Sequence, residues 1–163
     1  WQRKEYIHLY YLFCERKQIL LPKVCTGVII FIGGLSMDFD YTVTTEKTFD
    51  EAVQAVEQET KTVGFRVLYI HDVAATLKEK SFEIEPLKII EICNAKSAYA
   101  VLQADVKIGL CLPCKINVYQ KDGKTYNSGM RPMIIPQFFP QANLGTLPKE
   151  VDTIIRGIID RSR

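Results

Sequence analysis

The chain has 163 residues, of which 47% are hydrophobic and 25% are charged. This composition is that of an ordinary globular protein, so it excludes a disordered or fibrous chain, and the length fits one domain. The formal net charge is +2, but the first 36 residues carry five basic and two acidic side chains, which leaves −1 for the remainder. A remainder of that charge lacks the basic surface that phosphate-backbone binding requires, so nucleic acid is not expected as a partner.

Residues 1–36 form a leader that precedes the first domain-like pattern. The unbroken core of its apolar stretch CTGVIIFIGGLSM, Val28 to Ile32, is too short to cross a bilayer, which takes about twenty apolar residues. A secretory signal is disfavoured because the stretch before this run is too long. Met37 stands directly before a strand-like pattern, so we interpret the leader as an added extension, a mis-assigned start or a segment that docks on a partner chain. Residues 37–163 are interpreted as a single domain.

The domain is predicted to begin with a strand and a helix. Apolar and polar residues alternate along 39–45, which is the period of a half-buried strand. Thr48 and Glu51 have the spacing of a capping box, and Gly64 marks a helix end. A helix is therefore predicted from about Thr48 to Val63.

The middle of the chain alternates short strands with short helices. Four elements are predicted in order: a strand at 65–70, a helix at 73–80, a strand at 87–93 and a helix at 95–104. The strand segments are apolar and rich in β-branched residues. Each helical pattern follows a good N-cap residue, Asp72 in the first case and Asn94 in the second.

The last third of the chain is predicted to form a hairpin and a helix. An unbroken strand is expected from Ile108 to Val118, and Asp122-Gly123 can supply the positive φ angles of the tight turn that follows. Residues 131–141 contain three prolines and are interpreted as a loop or an irregular edge. Pro148 begins a helix with a strong apolar stripe.

This order of elements predicts an α+β fold. A single antiparallel or mixed sheet with helices packed on one face accommodates all of them. The opposite face of the sheet then needs cover, and either a homodimer or the leader could provide it.

The cysteines are an odd set without the dense spacing of a secreted disulfide framework: Cys14, Cys25, Cys93, Cys111 and Cys114. Reduced thiols and a cytoplasmic location are expected. Alternation along the predicted strand places Cys114 in the core and turns Cys111 to the other face. A redox pair or a structural zinc site is therefore not expected, unless a bulge at Pro113 brings both sulfurs to one side.

Cys93 ends a strand directly before the N-cap Asn94. The N–H groups of the following helix could lower the pKa of this thiol, although a plain core cysteine is the favoured alternative. His71 is interpreted as a solvated turn residue, and a catalytic Cys–His dyad would have to use it. No phosphate-binding glycine pattern is present, and neither a metal nor a cofactor is expected.

Part of the chain resembles domain-of-unknown-function family 302, small proteins of the TATA-binding-protein-like fold group. The likeness covers approximately Phe39 to Pro140 and is sharpest at Cys93-Asn94, Ala98, Leu102, Gly109 and Leu112-Pro113-Cys114. The family often has proline where this chain has Ala95 and leucine where it has Cys111. The resemblance implies an α+β domain that is commonly dimeric and has no established activity. It also implies that Cys93 and Cys114 are the two cysteines that match the family pattern.

Two functions of different classes follow. The first is a non-enzymatic, homodimeric binding or interaction module with a small apolar pocket near Cys93, Asn94 and Cys114, although side chains could also fill that pocket. The second is a thiol-based metal or sulfur-species site at the same two cysteines. Sulfur atoms within about 4 Å of each other beside an open cavity would favour the second function. No motif in the chain names a reaction, and neither nucleic acid nor a membrane is an expected partner.

Overall fold

The computed structural model describes residues 29–32 and 35–163, with side chains from Asp38 onward. The strands are β1 (Ile29–Ile32), β2 (Leu35–Asp38), β3 (Asp40–Thr45), β4 (Arg66–Asp72), β5 (Leu87–Cys93), β6 (Cys114–Lys121) and β7 (Lys124–Met130). The α-helices are α1 (Phe49–Thr62), α2 (Val73–Lys78), α3 (Ala95–Ala104), α4 (Ile135–Phe138) and α5 (Leu147–Arg161). Short 3₁₀ helices cover Val106–Cys111 and Pro132–Ile134.

Five of the strands form one antiparallel sheet in the order β3-β7-β6-β5-β4. This arrangement confirms the predicted α+β class. β1 and β2 pair with each other in a separate two-stranded sheet, so the predicted boundary at residue 37 falls within β2. The division of the chain at that residue stays a prediction. In the part of the chain that the structure describes, every helix is too short or too polar to cross a bilayer.

Helices α1 and α5 pack on one face of this sheet. Strand residues of alternate position point at them and are fully buried, as Ile90 and Ile92 are in β5 and Ile116 and Val118 are in β6. The helices contribute a further set of buried residues: Ala52, Val53, Val56, Val151, Ile155, Ile158 and Ile159. We call this side of the sheet the inner face and the opposite side the outer face.

The predicted helix starts are confirmed by hydrogen bonds. Thr48 Oγ1 accepts from the Glu51 N–H, and the Glu51 carboxylate accepts from the Thr48 N–H at 2.9 Å, which completes the capping box of α1. These bonds from Thr48 hold the pKa of Glu51 below its ordinary value. Asp72 and Asn94 cap α2 and α3 in the same way, each accepting from a backbone N–H three residues on.

The prediction of an unbroken strand from Ile108 to Val118 is wrong. The chain forms a 3₁₀ helix as far as Cys111, passes through a cis peptide bond between Leu112 and Pro113, and enters β6 only at Cys114. Asp105 starts the 3₁₀ helix by accepting from the Lys107 N–H at 2.8 Å. Pro113 has no N–H for a sheet ladder, which explains why the pairing begins just after it.

Two consequences of this correction concern side-chain direction. Ile108 is buried, but Leu110 is 86% exposed, so alternate residues from Ile108 to Val118 do not all point into the core. Side chains alternate between the two faces of the sheet from Cys114 onward, whereas Cys111 belongs to the 3₁₀ helix and not to the strand. The predicted hairpin turn is confirmed, since Asp122 and Gly123 both have positive φ angles.

The interpretation of residues 131–141 as a loop or an irregular edge is wrong in part. Pro132–Ile134 and α4 are short helical segments, and Pro132, Ile134 and Ile135 are buried. Proline is well tolerated in the first turn of a helix, where its missing N–H is not needed. These segments lead the chain from β7 back under α5.

An ion pair fixes the end of β7 to α5. The Arg131 guanidinium donates to both carboxylate oxygens of Asp152, from Nε at 3.1 Å and from Nη2 at 3.0 Å. The side chain of Asp152 is only 5% exposed. This bond raises the pKa of Arg131 further above its ordinary value. The Asp38 carboxylate lies 3.8 Å from the same guanidinium but is mostly exposed.

We expect Asp152→Asn to lower the free energy of unfolding by about 2 kcal/mol, because it leaves a largely buried guanidinium with only a distant carboxylate. Denaturant unfolding followed by circular dichroism measures this loss. Glu59→Gln is the matched control, since it removes the carboxylate of the more exposed Arg161–Glu59 pair at 2.7 Å. That change should cost less than about 1 kcal/mol. Equal losses in the two variants would contradict the role assigned to Asp152.

Candidate functional site

A cavity of about 40 Å³ lies at one end of the inner face of the sheet. We call it the inner cavity. It is bounded by the ends of β5 and β6, by the first turns of α3, and by α4 and α5. Its apolar walls include Phe65, Ile92, Val101, Leu112, Ile135 and Leu147.

All three site residues that the sequence singled out line the inner cavity. Cys93 is the last residue of β5, Asn94 is the N-cap of α3, and Cys114 is the first residue of β6. Ile92 pairs with Cys114 across the β5–β6 ladder, so Cys93 and Cys114 occupy neighbouring positions on adjacent strands. Whether these residues bind anything stays a prediction.

The Asn94 side chain links the first turn of α3 to the backbone at Gly64. Its Oδ1 accepts from the Ser97 N–H at 3.0 Å, which caps α3, and its Nδ2 donates to the carbonyl oxygen of Gly64 at 3.0 Å. The Ser97 hydroxyl donates to the same Oδ1 at 3.2 Å. One N–H of the Asn94 amide and the hydroxyl of Ser97 are thus bonded to protein atoms.

The thiol of Cys114 is held in its protonated form. Burial raises its pKa to about 11, and the nearby Cys93 and Cys111 add smaller contributions in the same direction, while Lys115 opposes them. Burial also raises the pKa of Cys111. Because the thiolate is the reactive species, these environments favour chemically inert cysteines.

The described cysteines are neither paired with each other nor part of a metal-binding cluster. Cys93, Cys111 and Cys114 are free thiols there. The same part of the chain contains no group of three or more histidine, cysteine, aspartate or glutamate side chains that could hold a metal ion. Cys14 and Cys25 lie outside the described residues.

The part of the inner cavity wall that follows β7 was not predicted from the sequence. Pro132, Ile135, Leu144 and Pro148 line it, and three of them belong to the segment interpreted as a loop or to the chain just beyond it. A cluster of buried aliphatic residues between prolines was the available signal. Its position beneath α3 depends on how the chain returns from β7, which local patterns do not encode.

His71 lies on the outer face, at the far end of β4 from Cys93. It is exposed, and its Nε2 lies 3.2 Å from Glu91 Oε1. The ring of Tyr69 tilts against the imidazole at 4.6 Å between centroids. His71 therefore does not form a dyad with any of the described cysteines. Its partner is the carboxylate of Glu91, which the sequence did not indicate.

Comparison with known proteins gives two kinds of match. A crystal structure of an uncharacterized conserved protein DUF302 from Bacillus stearothermophilus superimposes with a TM-score of 0.72 at 30% identity, covering 77% of this chain and 98% of that one. A minor capsid protein L2 of human papillomavirus 39 is 32% identical over 72 residues, which are 44% of this chain and 15% of that protein. The chain therefore spans only a small part of that viral relative.

The family model of the domain of unknown function DUF302 matches residues 41–162. That range contains the whole five-stranded sheet except the first residue of β3, and it includes helices α1 to α5. Since the match covers most of the chain and the structural neighbour carries the same family name, the chain belongs to the DUF302 family.

Proposed function

We propose that this protein is a non-enzymatic, homodimeric binding module whose inner cavity accepts a very small apolar ligand beside Cys93, Asn94 and Cys114. The observation that carries the proposal is the polarity of the cavity. A cavity holds water when two to four polar groups can bond to it. Here one N–H of the Asn94 amide and the Ser97 hydroxyl are already bonded to protein atoms, and the other wall residues are apolar or sulfur-bearing.

The size of the inner cavity limits the ligand. A single water needs roughly 10–15 Å³ of such space. About 40 Å³ therefore corresponds to a few atoms, the scale of a dissolved gas or a short aliphatic group. A fully packed corner would leave no such space, so the alternative of a pocket filled by side chains is less well supported.

The thiol alternative places a metal or a sulfur species at Cys93 and Cys114. The proximity of the two thiols favours it, since Cys93 contributes to the raised pKa of Cys114. The protonated state of Cys114 and the lack of a third ligand among the described residues weigh against it. Ligand binding without bond formation is the better supported function.

The homodimer is supported by the exposure of α3 and the 3₁₀ helix after it. No residue of α3 is buried. The exposed fractions are 67% for Tyr99, 76% for Val106 and 86% for Leu110. Leu102 joins the two elements, because a Cβ at Gly109 would lie 3.5 Å from its Cδ2. Exposed apolar surface of this kind usually marks a contact with another chain.

The first test of the cavity uses xenon as the probe. Amide NMR spectra recorded under xenon pressure should show saturable shifts at residues around the inner cavity. Ala98→Val should abolish these shifts because the added methyl groups occupy the space. Ala100→Val, on the exposed side of the same helix, is the matched control and should leave them unchanged. Equal xenon shifts in both variants, or none in the parent protein, would overturn the cavity as a ligand site.

A second test concerns the dimer. We expect size-exclusion chromatography with light scattering to report a dimer that Leu110→Lys converts to a monomer, because a charge would be placed within the apolar contact. Leu68→Lys is the control, since Leu68 is an exposed leucine on the bulged edge strand β4. A parent protein that is monomeric at high concentration would refute this part of the proposal.

A third test separates binding from thiol chemistry. With a pKa of about 11, Cys114 carries about a hundredfold less thiolate at pH 8 than a thiol at the ordinary value of 9.0. Alkylation of Cys114 by iodoacetamide at pH 8 should therefore be about a hundredfold slower in the folded chain than in the unfolded chain, as measured by peptide mass spectrometry. Rapid alkylation of the folded protein at this residue would support the thiol alternative instead.

A further inference from the structure

The outer face of the sheet carries a second concave site that is separate from the inner cavity. We call it the outer cleft. Its volume is about 310 Å³, at the lower end of the range of small-molecule sites. The floor is formed by Ile89 and Glu91 of β5 and Lys115 of β6, and one wall is formed by α2.

Neighbouring strands bring the charged groups of the outer cleft together. Glu91 and Lys115 are directly opposite each other in the β5–β6 ladder, so their side chains leave the sheet on the same face. The carboxylate of Glu91 nevertheless pairs with His71, whose Nε2 lies 3.2 Å from Oε1. No ion pair joins Glu91 to Lys115 among the described residues, so His71 is the side chain that the Glu91 carboxylate contacts.

This pairing leaves Lys115 as an uncompensated cation. Its side chain is exposed, and its ammonium group makes no hydrogen bond or ion pair with any residue that the structure describes. The Lys115 ammonium does not pair with Glu91, the acidic residue directly opposite it on the sheet. It is therefore available to an anion from solvent. A carboxylate is a suitable partner for a single ammonium group.

The wall that α2 forms is mostly aliphatic. Val73 and Leu77 of α2 line it next to Ile89 of the floor, and all three are half-buried. Two consecutive turns of α2 therefore present an apolar surface beside the cationic group. A ligand that satisfies both parts has a negatively charged head and a short hydrocarbon body.

We infer that the outer cleft is a binding site for a small aliphatic carboxylate. The carboxylate head bonds to the Lys115 ammonium, and the hydrocarbon body packs between Leu77 and Ile89. His71 is a positioning residue, because it holds Glu91 away from Lys115 and so keeps the ammonium free. The site does not depend on the inner cavity, and each can fail without the other.

The test uses 4-methylpentanoate as the probe and the full chain as the protein. Amide NMR titration should show saturable shifts at Leu77, Ile89 and Glu91, with a dissociation constant in the millimolar range, about that of a weak small-ligand contact. 4-Methylpentanamide has the same body without the charge and should bind about tenfold more weakly. Acetate, which lacks the body, should also bind about tenfold more weakly.

Variants of Lys115 test whether its ammonium group is the charge that binds the carboxylate. Lys115→Met should weaken 4-methylpentanoate binding about tenfold, and Lys115→Arg should retain most of it. Lys121→Met, at the exposed end of the same strand, is the matched control and should have no effect. Because Lys115 is exposed, both variants should keep the circular dichroism spectrum of the parent. Absence of saturable shifts in the parent, or equal affinity for Lys115→Met, would overturn the inference.

Discussion

The burial of one face of the sheet by α1 and α5 is the constraint on which the rest of this structure depends. Each central strand puts alternate aliphatic side chains into that interface, and the fully buried isoleucines of β5 and β6 form its middle. α5 approaches β7 closely at Gly129, where a Cβ would come within 2.9 Å of Ile159. Burying this apolar surface supplies the main stabilisation of the folded state. Because α1 and α5 both pack on the inner face, neither of them covers the outer face.

The inner cavity is a consequence of how this core ends. Beyond the last ladder pairs of β5 and β6, the space under α3 is closed by segments that follow β7, not by further strand residues. The Arg131–Asp152 pair anchors the start of those segments to α5. Side chains from six different elements meet there, and the inner cavity is the space that they leave between them. Cys93 and Cys114, the two cysteines that match the family pattern, lie at this junction.

The outer face has a different chemical character. Its strand residues are mostly polar or half-exposed, including Thr42 and Ser128, whose hydroxyl oxygens lie 2.6 Å apart, and the stacked rings of Tyr119 and Tyr126. This mixture keeps the face compatible with water while leaving defined concave sites at its edge. The exposed apolar side of α3 and its 3₁₀ extension is a separate surface. The inner cavity, the outer cleft and the exposed surface of α3 thus lie in different places on the fold.

The sequence alone determined most of the local structure, because caps and alternation act over a few residues. Thr48, Asp72 and Asn94 start the helices that they were expected to start, and Asp122-Gly123 makes the expected turn. The resemblance identified the family, and the three proposed site residues proved to share one cavity. The local pattern before Pro113 gave a wrong prediction, because the alternation of apolar residues there did not distinguish a strand from the 3₁₀ helix that forms.

Only the tertiary structure decided which distant segments meet. Leu144 and Ile135 line the same cavity as Cys93, and His71 pairs with Glu91 while Lys115 is left without a partner among the described residues. These contacts depend on strand order, register and the path of the chain after β7. Side-chain patterns specify which face of an element is buried, but they do not specify against which other element that face is packed.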